Sequence, residues 1–361
     1  MTTAAGASKV DIVGHRCGRC ATIGRGRQQH GRSTPRQEHA VGRWDAILDR
    51  TIFYSFDRSG FARHERSFDP DDLGVSMAGK ICLVTGANSG LGRSVARDLA
   101  ARDATVHLLC RNADRGAEAQ RAIREETGNP SVFLDVVDLS SPRSLRAFVD
   151  QLDRPQVDVL VHNAGLLPLE RELTAEGLEL TVATHLVGPH LLNHWLRPRL
   201  GGARVVFVTS GGMYAKRLSL KAMLSNEGRY DGVAAYAMTK RGQVVLSELW
   251  AEELSGAGTV VNAMHPGWAA TAGVERSLPR FHRLMSNRLR TPAQGADTAL
   301  WLAVADRVAG QTGKLWFDRR PAPTHLAWWT RETEAERSRL WDFCAAQTGA
   351  AEAGKSGGDS P

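Results

Sequence analysis

Tyr236 and Lys240 stand four residues apart in YAMTK. On a helix, positions i and i+4 share a face, so this spacing sets an ammonium beside a phenol. Free tyrosine titrates at about pH 10 and is a poor base at neutrality, but an adjacent cation stabilises the phenolate and lowers that value. A tyrosine tuned in this way can exchange a proton with an alcohol or carbonyl oxygen. The pair alone is a weak signal, and its meaning depends on its neighbours. Ser210 closes the run ARVVFVTS with a hydroxyl able to hold a reacting oxygen. Asn163, Ala164 and Gly165 end the preceding run, VDVLVH, and Pro266 and Gly267 follow the next one, TVVNAMH. If these runs are parallel strands, all of these residues converge on one crevice at the carboxyl edge of a sheet.

A second group suits a nucleotide. The run ICLVT leads into Gly86, Ala87, Asn88, Ser89, Gly90, Leu91 and Gly92. Glycines between a strand and a helix let the backbone turn sharply and approach a pyrophosphate, which then rests on the amides and positive dipole of the helix N-terminus. The spacing is GxxxGxG rather than the commoner GxGxxG, which disfavours an extended epimerase-type relative. A cofactor with a free ribose 2′-hydroxyl calls for an Asp or Glu about 20 residues further on. Cys110, Arg111 and Asn112 stand there instead. A guanidinium suits a 2′-phosphate, so NADP(H) is expected over NAD(H), with Arg93 as a second candidate cation.

The elements that must position these residues are legible as well. ICLVT is followed by the amphipathic segment LGRSVARDLAAR, then by TVHLLC, SVFLDVV, VDVLVH, ARVVFVTS, TVVNAMH and KLWF at helix-length intervals. Near-continuous apolar strands alternating with helices predict a parallel sheet covered on both faces, here with seven strands in one domain over 80–320. Before it, Trp44, Ile47, Leu48, Ile52, Phe53 and Phe56 recur at helical spacing, so 44–79 reads as an amphipathic helical extension. The stripe suits packing on the protein's own core better than a membrane surface, because its polar face lacks Lys/Arg enrichment. Residues 321–348 form a Trp-rich C-terminal arm, and 349–361 read as a flexible tail.

Composition narrows the function classes. The chain has 361 residues, 42% of them hydrophobic and 24% charged, and a formal net charge of +7. Residues 1–43 hold Lys9 and seven arginines against Asp11 and Glu38, so nearly all the excess charge lies in a segment too poor in large apolar residues to order itself. A basic tail is no folded basic surface, and no nucleic-acid partner is expected. Cys17 and Cys20 form a CxxC near His15 and His30, too loose a set to support zinc, and no metal is expected. The odd number of cysteines argues for a reducing compartment. With neither a spanning segment nor a secretory signal, a cytoplasmic location, at most peripheral to a membrane, is expected.

Taken together in this order and spacing, the glycine turn, Asp138, Asn163–Gly165, Ser210, Tyr236/Lys240 and Pro266–Gly267 resemble the short-chain dehydrogenase/reductases. HNAGLL, ATHLVGPHLL, TSGGMY, YDGVAAYAMTK, MHPGW and FDRRPAPTH are similar to the subgroup around the retinol dehydrogenases. The resemblance covers about 80–320 and implies a Rossmann-type doubly wound fold. It implies that Tyr236 gives or takes the proton, that Lys240 lowers its pKa and binds the nicotinamide ribose, and that Ser210 orients the substrate oxygen. Cofactor contacts are implied for Gly86, Asn88, Ser89, Gly90, Leu91, Gly92, Arg111, Asp138, Leu139, Asn163, Ala164, Gly165, Pro266, Gly267 and Thr271. The family usually has an asparagine in its central helix that anchors a proton-relay water. The matching position here is His185, which also holds water and titrates near neutrality, so a modified relay with an ionisation around pH 6 to 7 is expected.

Leu166, Leu167, Met213, Met223, Trp268, Leu278, Phe281, Leu284 and Met285 follow the strands that form the crevice and suit a lipophilic alcohol, aldehyde or ketone. The expected activity is therefore NADP(H)-dependent interconversion of such an alcohol and its carbonyl. The alternative is a nucleotide-binding redox sensor or scaffold without turnover. A homodimer is compatible with either.

Overall fold

Short runs of aliphatic and β-branched residues form strands whose side chains are buried on both faces, as a covered parallel sheet requires. The computed structural model describes residues 52–225, 227–270 and 283–356, all within one compact unit. The strands are β1 (Ile81–Thr85), β2 (Thr105–Cys110), β3 (Val132–Val136), β4 (Val159–His162), β5 (Arg204–Val208), β6 (Val260–Met264), β7 (Leu315–Phe317) and β8 (Arg320–Pro321). Their order is β3-β2-β1-β4-β5-β6-β7-β8. The first seven are mutually parallel, and the order reverses beside β1, which opens a crevice at the carboxyl edge between β1 and β4. The seven expected strands are present as β1–β7. The eighth is a two-residue strand that returns antiparallel on β7, too short to leave a periodic signal.

The helices that position the site are α1 (Ile52–Phe56), α2 (Arg58–Glu65), α3 (Gly90–Ala100), α4 (Ala113–Thr127), α5 (Pro142–Gln151) and α6 (Leu180–Val182). After α6 the chain makes a π-turn over Ala183–Val187. It continues into α7 (Gly188–Leu196), α8 (Leu220–Leu224), α9 (Gly232–Glu253), α10 (Pro292–Val304) and α11 (Glu334–Ser356). One core layer joins α5, α7, α9 and α11 to the sheet through Phe148, Leu191, Leu192, Val245, Trp250 and Leu340. The opposite layer joins α3 and α10 through Val95, Leu99, Leu300 and Trp301. Burying these side chains contributes roughly 1.5–3 kcal/mol each.

In the N-terminal extension the first described helix ends at Phe56, where the apolar stripe ends. Asp57 breaks it: its carboxylate accepts the Ser59 and Gly60 amides and starts α2 as a new helix. Phe56 and Phe61 are buried, whereas Trp44, Ile47 and Leu48 lie outside the described residues. At the other end α11 runs to Ser356, beyond the expected start of a tail at 349. Cys82, Cys110 and Cys344 are buried and free, and Cys17 and Cys20 lie outside the described residues. Among the described residues no helix is long and apolar enough to cross a membrane.

Candidate active site

The carboxyl ends of β1, β2, β4, β5 and β6 open on a crevice of about 670 Å³. Its floor at one end is the turn between β1 and α3. Gly86 has φ of 65°, and a Cβ there would come within 2.9 Å of the Ala164 backbone. A Cβ on Gly92 would lie 2.3 Å from Asn163 Nδ2, so both positions require glycine. Asn163 locks the turn from the β4 side, donating from Nδ2 to the Thr85 carbonyl (2.9 Å) and the Gly86 carbonyl (3.3 Å). The Thr85 hydroxyl accepts the Asn163 and Ala164 amides. Thr85 opens the glycine motif in the sequence, but its bonding carries no signal there until its partners, 78 and 79 residues away, are known. Ser89 caps α3 with no side-chain hydrogen bond, so the first amides of that 11-residue helix remain available to an anion in the crevice.

At the far end of the cradle, Leu109, Arg111, Asn112, Arg115, Val137, Asp138 and Leu139 line the crevice. Ser140 fixes the Asp138 carboxylate through its amide (2.9 Å) and hydroxyl (2.7 Å). Arg93, the expected second cation, pairs with Glu126 on α4 instead and is not part of the lining. Arg115, in the first turn of α4 and anchored through its amide by the Asn112 cap, lines the crevice. A helix carries only some of its side chains toward a given ligand. Proximity in sequence to the last glycine does not bring Arg93 into the lining.

The reacting groups gather midway. Ser210 starts a short 3-10 turn after β5 and its Oγ accepts the Gly212 amide at 3.2 Å. Its hydroxyl is also hydrogen-bonded to the Tyr236 phenol. Lys240 Nζ lies 5.6 Å from the centre of the Tyr236 ring and donates to the Val208 carbonyl and to Gln243 Oε1, each at 2.9 Å. The expected lowering of the phenol pKa is not what stands here. Burial is the largest influence and raises it above its ordinary value, with the Ser210 hydrogen bond acting in the opposite direction. Burial also brings the Lys240 ammonium down to about 7. Each group has lost the water that favours its charged form.

His185 sits at the centre of the π-turn, fully buried. Nε2 accepts the Leu166 amide at 3.0 Å, so the ring proton is on Nδ1, which lies 2.8 Å from Thr239 Oγ1. Thr239 in turn donates to the Tyr236 carbonyl at 2.9 Å. Both ring nitrogens are thus spent on protein partners, contrary to the expected water-holding role. Burial, with the nearby Lys240 charge, holds the imidazole well below its ordinary pKa, which removes the expected ionisation near neutrality. His185 ties the β4 loop to the helix that carries Tyr236.

The mouth beyond Tyr236 is lined by Leu166, Leu167, Gly211, Gly212, Ala215, Lys216, Val233 and Trp268. Three of the expected apolar residues are therefore in place. Met213, Met223 and Met285 are buried instead, and Leu284 is 83% exposed. Leu278, Phe281 and Thr271 lie outside the described residues. Pro266, Gly267, Asn88, Gly90, Leu91, Ala164 and Gly165 all reach the crevice.

Sequence did not disclose the brace behind this wall. Arg290 is fully buried and pairs with both carboxylate oxygens of Asp318, at 2.6 and 2.8 Å. Asp318 also meets His64 Nδ1 at 2.6 Å. The remaining guanidinium donors reach the carbonyls of Ser55 (2.9 Å), Phe56 (2.9 Å) and Asp57 (3.2 Å), where α1 ends. The Trp268 amide donates to the Phe56 carbonyl at 2.8 Å. The extension is thereby stitched to the loop after β6.

A family profile for short chain dehydrogenases matches residues 80–280. The chain belongs to this family. It is an oxidoreductase acting on alcohol or carbonyl groups. It is 43% identical over 276 residues to dehydrogenase/reductase SDR family member 12 of Bos taurus, covering 75% of this chain and 86% of that protein. Retinol dehydrogenase 11 of Mus musculus is 32% identical over 282 residues, covering 74% of this chain and 86% of that protein. A solved structure from Beutenbergia cavernae, assigned as an NAD(P) dependent gluconate 5-dehydrogenase and holding NADP at low occupancy, shares the fold. Its TM-score is 0.54 at 29% identity, over 66% of this chain and 95% of that one.

Proposed function

We propose that this short-chain dehydrogenase uses NADP(H) to interconvert a lipophilic alcohol and its aldehyde or ketone, with Tyr236 as general acid and base. The observation that carries the reading is one crevice with differentiated ends. Arg111 and Arg115 stand beside the glycine cradle, Ser210, Tyr236 and Lys240 in the middle, and Leu166, Leu167, Val233 and Trp268 at the mouth. The residues fit the dinucleotide on three counts. The glycine cradle has no room for a Cβ, the amides of α3 are uncapped by a side chain, and two guanidinium groups suit a 2′-phosphate. The structure from Beutenbergia cavernae with NADP bound and the retinol dehydrogenase relative support the cofactor and the lipophilic substrate respectively.

When bound, the dinucleotide supplies or accepts the hydride. The chain does the rest. Ser210 and Tyr236 hydroxyls hold the substrate oxygen between them, and the apolar mouth excludes water from it. The phenol can give its proton to a carbonyl oxygen in reduction, and the phenolate can take one from an alcohol in oxidation. Lys240 stabilises the phenolate left behind, and a dinucleotide's negative charge supplies the partner that the buried ammonium lacks. The test is NADPH oxidation against a panel of long-chain and cyclic aldehydes and ketones, with Tyr236→Phe as control. Turnover that falls with Tyr236→Phe supports the reading, and a panel without turnover ends it.

A further inference from the structure

Behind the reacting groups lies a buried bridge of three polar groups. Gln243 is one turn after Lys240 on α9, so the two side chains share a face. Gln243 Oε1 accepts from Lys240 Nζ at 2.9 Å, and Gln243 Nε2 donates to the His185 carbonyl at 3.1 Å. Lys240 is 3% exposed and Gln243 and His185 are fully buried, so water does not substitute for either bond. The His185 carbonyl needs such a donor: four residues on, where a helix would supply an amide, stands Pro189, which has none. The ammonium has three N–H groups. Val208 and Gln243 take two of them, leaving one for the crevice that Lys240 lines.

We infer that Gln243 is a positioning residue: its amide aims the Lys240 ammonium at the crevice and couples it to the π-turn that carries His185. This rests on the proposed role of Lys240 beside Tyr236. A neutral amide suits the task better than a carboxylate would. It accepts the N–H without supplying a counter-charge, so a buried ammonium stays near its midpoint at neutral pH, about 7. The titratable groups that face it are Tyr236, on its own helix, and His185, from the π-turn.

The experiment compares the full-length wild type with Gln243→Glu and Gln243→Leu, using the best carbonyl compound of the panel. Gln243→Glu, nearly isosteric, sets a carboxylate against the ammonium and should move the ionisation in kcat up by about one pH unit or more. Gln243→Leu removes both bonds and should lower kcat by about tenfold or more with a smaller change in KM. Nitrogen NMR of the Lys240 ammonium in the cofactor-bound protein reads the same shift without turnover. A folded Gln243→Glu protein with an unmoved Lys240 titration overturns the inference. A wild type that turns over no carbonyl compound overturns the proposed activity instead, and the NMR comparison still decides the role of Gln243.

Discussion

Replacing His185 tests whether the buried imidazole is a proton carrier or a tie. His185→Leu deprives the half-buried Leu166 amide of its acceptor and Thr239 of a donor. Thr239 keeps its bond to the Tyr236 carbonyl, and water can reach Leu166, so the loss belongs to the range for one orphaned partner, about 1–3 kcal/mol. For a chain of this size that lowers the melting temperature by roughly 1–4 °C. His185→Asn, which keeps a polar side chain, should lose less. The pH dependence has a definite sign. The folded pKa lies below the unfolded value of about 6.5, so only the unfolded chain takes up the proton as pH falls below that value. Stability held above pH 6.5 is therefore lost toward acid, at up to about 1.4 kcal/mol per pH unit until the folded pKa is reached. His162, His190 and His265 are lowered by burial too, so the contribution of His185 is the difference between wild-type and Asn-variant curves. Melting and initial rates between pH 5 and 8, with rates corrected for folded fraction, provide the data. An activity step near pH 6 to 7 in the wild type that His185→Asn abolishes would refute the reasoning, because it requires the ring to titrate where burial forbids it.

Arg111→Ala and Arg115→Ala should each weaken NADPH by about 1.5–3 kcal/mol while leaving NADH nearly unchanged, as measured by fluorescence titration; equal losses for both cofactors would remove the phosphate contact. Tyr236→Phe should lower turnover by about 10²-fold or more with cofactor affinity held within a few-fold, and near-native rates would exclude the phenol as acid. Arg290→Met leaves Asp318 buried beside His64 alone and should cost about 3–5 kcal/mol in denaturant unfolding. Burial raises the Asp318 pKa, but His64 and Arg290 outweigh it and hold the carboxyl below its ordinary value. That stability is present above about pH 4, is lost as pH falls through the folded value, and should be largely missing from the variant.

What was legible in the sequence was what is local. A strand that runs into a glycine turn, or a Tyr and a Lys one helical turn apart, carries its geometry in its spacing, so β1–β7 and the crevice residues at their ends could be named in advance. What depends on direction was not legible. Arg93 directly follows the last glycine and Arg115 stands beyond β2, and only the orientation of α3 and α4 shows that the first meets Glu126 and the second the crevice. The methionines assigned to the mouth illustrate the same limit, since a loop after a strand can turn its apolar residues into the core. The partners of His185 were not legible because the Leu166 amide and the Thr239 hydroxyl come from other elements, and Pro189, which leaves the His185 carbonyl without a helical amide, speaks only once Gln243 is found opposite. The Arg290 brace joins residues more than 200 positions apart.

That brace bears on where this protein can be cut. Residues 55–57, 64, 290 and 318 all lie outside the 80–280 segment that the family profile matches, yet the loop they hold, Gly267 and Trp268, lies inside it and lines the crevice. The profile marks a unit of ancestry that is not a unit of assembly. A fragment trimmed to it would keep the glycine cradle and Tyr236 while leaving one wall of the mouth unsupported. A chimera that exchanges the extension between relatives would need to carry Arg290 and Asp318 with it.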